Sequence, residues 1–440
     1  MQPVTRGRHK SLMPLLGLKI IERVILGAKE AGINEFVIVT GYKGDVYRKA
    51  VGDGSRYGIS IKYVQNDKWK KPNGLSVLCA KKYLKENFVL LMSDHVFDAT
   101  TLKKLQRLKI KKDECILAVD KNLGSVLDVS DTTKTVVVGG RVTNIGKHLE
   151  KYNAYDTGMF YCTPYLFKAL ETVVKREKMS LTNGMNFLVK RGLLRSFDIR
   201  GRFWSDCDTY ADVQFAEKKL LKTLSKQADG IIAKKFNRRV SVLITRLLIK
   251  TPITPNVISF SIPILAIVTF FVLAKGVYPW LVVGGILTQF MSIIDGCDGE
   301  IARLKFMRSK WGGFLDANLD KYVDTAVIAG MSLGYLKVTG NNFILPLALF
   351  VIFALGLDGY MPNKFEIYVG KRLNFYAPQF INFKRDIRLL ILAFGAIFNQ
   401  ILFAFLIILF VYHLKVVIRL ISGKRICEEI LVKTPIASQV

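Results

Sequence analysis

The stretch "DGCDGEIARLKFMRSKWGGFLDANLD", residues 295–320, sets Asp295, Asp298, Asp316 and Asp320 between segments apolar enough to enter a bilayer. A carboxylate at a membrane edge is costly, and where one persists it usually has a function. Asp295 and Asp298 are three apart, and Gly299 and Ala302 continue their helical stripe. Asp316 and Asp320 are four apart, one turn after Gly312. Two antiparallel helices joined by the basic elbow 304–311 would bring the four carboxylates together, with small residues beside them to let a bulky ligand reach the backbone. Carboxylate oxygens at this density suit a hard divalent cation such as Mg²⁺ or Mn²⁺, with substrate phosphates completing its shell. Arg303 offers phosphate a planar fork of donors. Taken singly, each aspartate also reads as a solvated helix-end charge paired with Lys305, Arg308 or Lys321. The spacing of all four weighs against that. Asp324, one turn beyond Asp320, stays open.

Around this stretch the chain divides by composition. Of 440 residues 50% are hydrophobic, yet the net charge is +30. Residues 1–250 read as water-soluble, and 253–421 as apolar blocks separated by short basic loops. The charge admits anionic lipid or phosphorylated small molecules as partners. Nucleic acid is excluded as a partner, for want of a basic stripe with interleaved aromatics. The 6 cysteines and 4 histidines are scattered without CxxC pairs. This points to free thiols in a reducing compartment and against zinc. "MQPVTRGRHKSL" has no apolar core and is no signal peptide.

A span needs roughly 20 apolar residues. Blocks at 257–274, 278–294, 317–336 and 343–360 read as single helices, whereas 389–412 carries Asn399 and Gln400 in its middle. Lys and Arg crowd the loops 303–310 and 364–388 and the tail after 412, but are sparse near Lys275 and Lys337. The positive-inside rule puts the crowded segments on one side, which requires two helices turning near Asn399. The expectation is an all-α membrane domain of six helices over 253–425 in a multi-pass cell-membrane protein. Both termini and the soluble domain are then cytosolic, with 426–440 as a tail. Residues 226–252 mix Lys and Arg with Ile, Leu and Phe. They read as a linker helix lying in the interface of the lipid bilayer, although a solvated linker is the plainer alternative.

In residues 1–225, "EFVIVT" (35–40), "ISIKYVQ" (59–65), "FVLLMSD" (88–94) and "CILAVD" (115–120) read as strands. "LKIIERVILGAKEAG" (18–32) and "GLSVLCAKKYLKE" (74–86) have helical spacing. Alternation of this kind predicts an α/β fold with a mostly parallel, Rossmann-like sheet and a ligand beyond its strand ends. Asp94 sits at one such end.

"DGCDGEIARLKFMRSKWGGFLDANLD" resembles the signature of the CDP-alcohol phosphotransferases, D-x2-D-G-x2-A-R-x8-G-x3-D-x3-D, with every fixed position filled. "TPN" (254–256) before the first span fits as well. The resemblance implies that Asp295, Asp298 and Asp316 bind metal, and that Asp320 both ligates and acts as general base. It also implies that Gly299, Ala302, Arg303 and Gly312 hold the nucleotide.

"PVTRGRHKSLMPLLGLKIIERVI", "VLLMSDHVFD", "YDTGMFYCTP" and "FWSDCDTYADVQFAEKKLL" resemble, in order and spacing, blocks of the sugar-phosphate nucleotidyltransferases, whose fold is of the GT-A type. That resemblance implies a phosphate-pairing Lys10 and a metal bound by Asp94 with Asp206 or Asp208. That family opens with a strand and a Gly-rich loop, whereas this sequence starts just past where they should end. Weak or absent cytidylyl transfer is therefore expected of it.

The fusion resembles two-step enzymes of heat-adapted microbes. This implies that CTP and inositol 1-phosphate give CDP-inositol. CDP-inositol then joins a second inositol 1-phosphate, releasing CMP and an osmolyte precursor. Lys371, Arg372, Arg385 and Arg388 are the candidate ligands for the phosphorylated acceptor, although topology-setting charge explains any one of them equally well. A phospholipid synthase and a transporter with a nucleotide-sensing domain are the alternatives. The sequence leaves a homodimer open.

Overall fold

Residues 9–224, 237–371, 373 and 384–433 are described by the computed structural model, and they divide into two compact units, Met1–Thr223 and Leu224–Val440. Arg372, "PVTRGR" (3–8) and the first part of the linker (226–236) lie outside the described residues.

In the first unit the strands are β1 Pro14–Leu15, β2 Leu18–Lys19, β3 Glu35–Thr40, β4 Ser60–Gln65, β5 Phe88–Leu91, β6 His95–Phe97, β7 Cys115–Asp120, β8 Lys134–Val138, β9 Arg141–Gly146, β10 Ala154–Cys162, β11 Leu194–Asp198 and β12 Trp204–Asp206. The helices are α1 Ile20–Glu30, α2 Gly44–Val51, α3 Gly74–Cys79, α4 Ala99–Leu105, α5 Tyr165–Val174, α6 Leu181–Val189 and α7 Tyr210–Thr223. Local chemistry sets several starts. Glu22 accepts a bond from the Lys19 backbone at the head of α1, Asp98 caps α4 and Ser180 caps α6.

The sheet departs from the mostly parallel expectation. Among the described residues its order is β5-β10-β7-β11-β9-β8, with β7–β11 its one parallel pair; β3 and β4 form a separate parallel pair. Parallel neighbours need a long crossover, usually helical. Between β7 and β10 the chain makes only the β8–β9 hairpin, so β10 runs against both β5 and β7. The helix expected over 74–86 stops at Cys79, where the next bonds, Ala80 to Val77 and Lys81 to Leu78, tighten to three-residue turns. Every residue of β7 is buried, and the sheet is packed on both faces by apolar clusters around Phe160 and Leu170 on one side and Ile116 and Trp204 on the other.

The second unit is helical: α8 Arg238–Leu248, α9 Pro255–Leu273, α10 Tyr278–Leu304, α11 Lys310–Thr339, α12 Ile344–Val369, α13 Arg385–Ile397 and α14 Ile401–Lys433. Thr254 and Pro255 start α9, and Ser309 caps α11 through the Gly312 N–H at 2.9 Å. Asn399 takes a left-handed φ of 54°, so the last apolar block is two helices, α13 and α14. Among the described residues four helices, α9, α10, α12 and α14, are long and apolar enough to cross a membrane. Their outer faces present Ile264, Phe271, Leu349 and Phe410 uncovered, as a lipid-embedded domain requires. Backbones meet closely where α9 and α11 cross. A Cβ at Gly330 would strike Phe270, and one at Gly334 would strike the Leu273 carbonyl, which is the role small residues have between membrane helices.

Helix α8 turns Leu243 and Leu247 outward and its polar face inward. The carboxylate of Glu300 on α10 is fully buried there. It accepts bonds from Ser241 Oγ and Thr245 Oγ1, both at 2.7 Å, and pairs with Arg238.

Candidate functional site

In the helical unit, α10 ends and α11 begins on either side of the elbow, and carboxylate oxygens of Asp295, Asp316 and Asp320 lie within 4.8 Å of one another. Asp298 is placed differently. It is buried, and its carboxylate receives the Ser259 hydroxyl of α9 at 2.5 Å and the Gly299 N–H. Gly299 leaves room for Arg303, whose Nη1 would stand 3.3 Å from a Cβ at that position. Ala302 lies in the last turn of α10 beside Arg303, and Gly312 in the first turn of α11, where an added Cβ would lie 3.9 Å from Asn256 Oδ1.

Arg385, at the start of α13, reaches into the carboxylates, with Nη1 2.7 Å from Asp295 and 2.6 Å from Asp320. These oxygens need a nearby cation, and an all-oxygen, hard donor set of this size fits a divalent ion such as Mg²⁺ or Mn²⁺. Arg388 behaves differently from the open phosphate ligand expected of it. It is buried, pairs with Asp324, and donates to the Tyr412 hydroxyl at 3.1 Å. Lys371 is exposed just past the end of α12. Breaking a buried pair leaves a charge uncompensated and costs about 3–5 kcal/mol. Arg388→Ala should therefore lower the thermal midpoint of the purified protein in detergent, and Arg388→Lys should recover part of it. Wild-type stability together with a raised acceptor KM in Arg388→Ala would return this residue to the acceptor pocket.

In the α/β unit, β6 and β12 run antiparallel with Asp206 directly opposite His95, and Asp94 immediately precedes β6. Ligand atoms of Asp94, His95 and Asp206 lie within 4.8 Å of one another. Lys10 Nζ sits 2.7 Å from Asp94 Oδ2 and also pairs with Asp208. These residues line one cavity with Asn73, Asp156 and Trp204. Burial works against the Lys10 cation, but Asp94 and Asp208 outweigh it and raise its pKa. Burial would lower His95, yet Asp206 and Asp94 push it up to about 10. Burial lifts Asp156 to about 6 and, helped by Asp206, raises Asp208. Asp206 moves down despite its burial, because His95 and Lys10 favour its charged form. Perturbed groups gathered in a cleft mark a functional site.

The structure thus brings together Asp295, Asp316 and Asp320 in one unit and Lys10, Asp94, Asp206 and Asp208 in the other. Ser259, Glu300, Asp156 and His95 were not singled out from the sequence, and Asp324 was left open there. His95 had a signal, since it directly follows Asp94, but its partner arrives only with β12.

The α/β unit thus gathers a lysine among aspartates, and the helical unit an aspartate cluster between apolar helices. Comparison with known proteins identifies the two units. Residues 1–223 match the nucleotidyl transferase family and 252–417 the CDP-alcohol phosphatidyltransferase family. A protein of Aquifex aeolicus named bifunctional IPC transferase and DIPP synthase is 31% identical over 95% of this chain and 94% of its own length. The protein of that name from Archaeoglobus fulgidus is 32% identical over 90% of this chain and 76% of its own. A solved inositol-1-phosphate CTP transferase from T. maritima is 24% identical, covering 50% of this chain and 90% of that one, with a TM-score of 0.44. The chain belongs to the family of bifunctional IPC transferases and DIPP synthases.

Proposed function

We propose that the α/β unit transfers a cytidylyl group from CTP to inositol 1-phosphate, giving CDP-inositol and pyrophosphate. Its assembled cavity of Lys10, Asp94, Asp206 and Asp208 supports this over the weak or absent transfer expected from the sequence. The membrane unit then transfers phosphoinositol from CDP-inositol to a second inositol 1-phosphate and releases CMP. The observation that carries this reading is the convergence of Asp295, Asp316 and Asp320 in a phosphotransferase region fused to a nucleotidyltransferase.

Each residue has a task in this scheme. Asp320 takes the proton of the acceptor hydroxyl, which attacks the β-phosphorus of CDP-inositol as CMP departs. Asp295, Asp298, Asp316 and Asp320 would hold Mg²⁺ or Mn²⁺, as would Asp94 with Asp206 or Asp208; when bound, such an ion neutralises phosphate charge as the bond to the leaving group breaks. Gly299, Ala302 and Gly312 leave the nucleotide space, and Arg303 meets its phosphates. Arg385 would meet the acceptor's phosphate; its place among the carboxylates supports this. Lys10 meets the phosphates in the α/β cavity. The helices α9 to α14 form six membrane segments, with the basic loops, both termini and the α/β unit on the cytosolic side.

Membranes holding the protein, fed CTP and labelled inositol 1-phosphate, test the reading. The label should end in a water-soluble diester. Label partitioning into organic solvent would instead identify a phospholipid synthase.

A further inference from the structure

We infer that His95 is a third protein ligand of the metal in the α/β unit, binding through Nε2 beside Asp94 and Asp206. The inference rests on the reading of this cavity as a metal-dependent cytidylyl-transfer site and deepens it.

The imidazole is held as metal-binding histidines are held. Its Nδ1 lies 2.9 Å from the Thr157 carbonyl, so Nδ1 carries the proton and Nε2 faces the carboxylates. Donation of the remote ring N–H to a backbone carbonyl fixes the tautomer and the ring plane of a ligating histidine. The backbone is shaped to supply that carbonyl. β10 breaks its ladder with β7 between Asp156 and Phe160, and Gly158, inside the break, has a φ of 72°. A Cβ on Gly158 would collide with the His95 ring. The Trp204 ring, with its centroid 6.0 Å away, flanks it as well. The β6–β12 register sets Asp206 opposite.

The distances fit ligation as well as an ion pair with a protonated ring, whose Nε2 proton a bound ion would displace. Nε2 is 3.5 Å from Asp206 Oδ2 and 4.0 Å from Asp94 Oδ1, both too long for a directed hydrogen bond. Ligand atoms each about 2.1 Å from one ion stand about 3.0 Å apart at right angles and about 4.2 Å apart across it. The observed separations fall between those limits. Asp94 gives Oδ2 to Lys10 and keeps Oδ1 toward His95, whereas Asp208 gives Oδ1 to Lys10 and lies outside the cluster of Asp94, His95 and Asp206. Among the described residues, Asp206 Oδ1 is buried without a hydrogen-bond donor, as the oxygen of a cation ligand would be. Asp206 rather than Asp208 is therefore the second carboxylate ligand. A nitrogen in the shell shifts preference from Mg²⁺ toward Mn²⁺ and later transition metals.

The test is pulsed electron paramagnetic resonance on the purified full chain loaded with Mn²⁺ and no nucleotide. A ¹⁴N modulation from one directly bound imidazole is expected. It should convert to ¹⁵N when histidine alone is isotopically labelled, which needs no variant, and it should vanish in His95→Gln. Mn²⁺ that binds, is released by Asp94→Asn, and shows no imidazole coupling would overturn the His95 assignment and leave the metal site standing. Failure of Asp94→Asn to release any Mn²⁺ would overturn the metal reading and the His95 assignment together.

Discussion

Asp320→Asn should lower turnover of CDP-inositol on the order of 10³-fold while leaving its affinity for CDP-inositol close to that of the parent. The substitution is nearly isosteric and removes only the basicity of the carboxylate. Asp320 lies mid-turn on α11, four residues after Asp316, and its oxygen is 2.6 Å from Arg385, so an amide fits the same space. A group that accepts the hydroxyl proton in the transition state lowers kcat when neutralised, whereas a group that merely binds nucleotide raises KM. Single-turnover transfer and equilibrium binding of CDP-inositol separate the two. Near-normal turnover in Asp320→Asn would remove it as the base, and lost binding with intact turnover would make it a nucleotide ligand only.

Asp94→Asn should produce the reverse lesion. Formation of CDP-inositol from CTP should drop by about 10²–10³, the usual cost of removing one charge-stabilising group. CDP-inositol supplied from outside should still be consumed at the parental rate. The α/β unit has its own packed sheet and the helical unit its own core, so neutralising a cavity residue of one leaves the other folded. Loss of both activities in Asp94→Asn would show that the two units act as one catalytic body. Loss of neither would remove the cavity from the chemistry.

Much of the membrane site was legible because its information is local. Four-residue spacing within α11 puts Asp316 with Asp320, and Asp295 lies toward the end of the helix before it. An elbow too short to do anything but reverse the chain joins the two helices. The break at Asn399 was readable because a polar pair interrupts an apolar run that loop charge required to be two segments. What escaped depended on pairings distant in sequence. Asp298 meets Ser259 on another helix, and Arg388 finds its partner in Asp324, the residue left open. In the α/β unit, strand residues were readable from composition, but strand direction was not. β10 runs antiparallel because a hairpin precedes it, and nothing within "AYDTGMFYC" announces that. His95 escaped for the same reason, since its environment comes from β10 and β12 and from the left-handed Gly158.

Phosphorus magnetic resonance on purified protein given CDP-inositol, inositol 1-phosphate and Mg²⁺ tests most directly the claim that the aspartate cluster consumes a CDP-alcohol. The diphosphate signals should disappear as CMP and a new phosphodiester appear in equal amounts, with no change in Asp320→Asn. Persistent diphosphate signals, or CMP accumulating beside free inositol 1-phosphate without a diester, would contradict it.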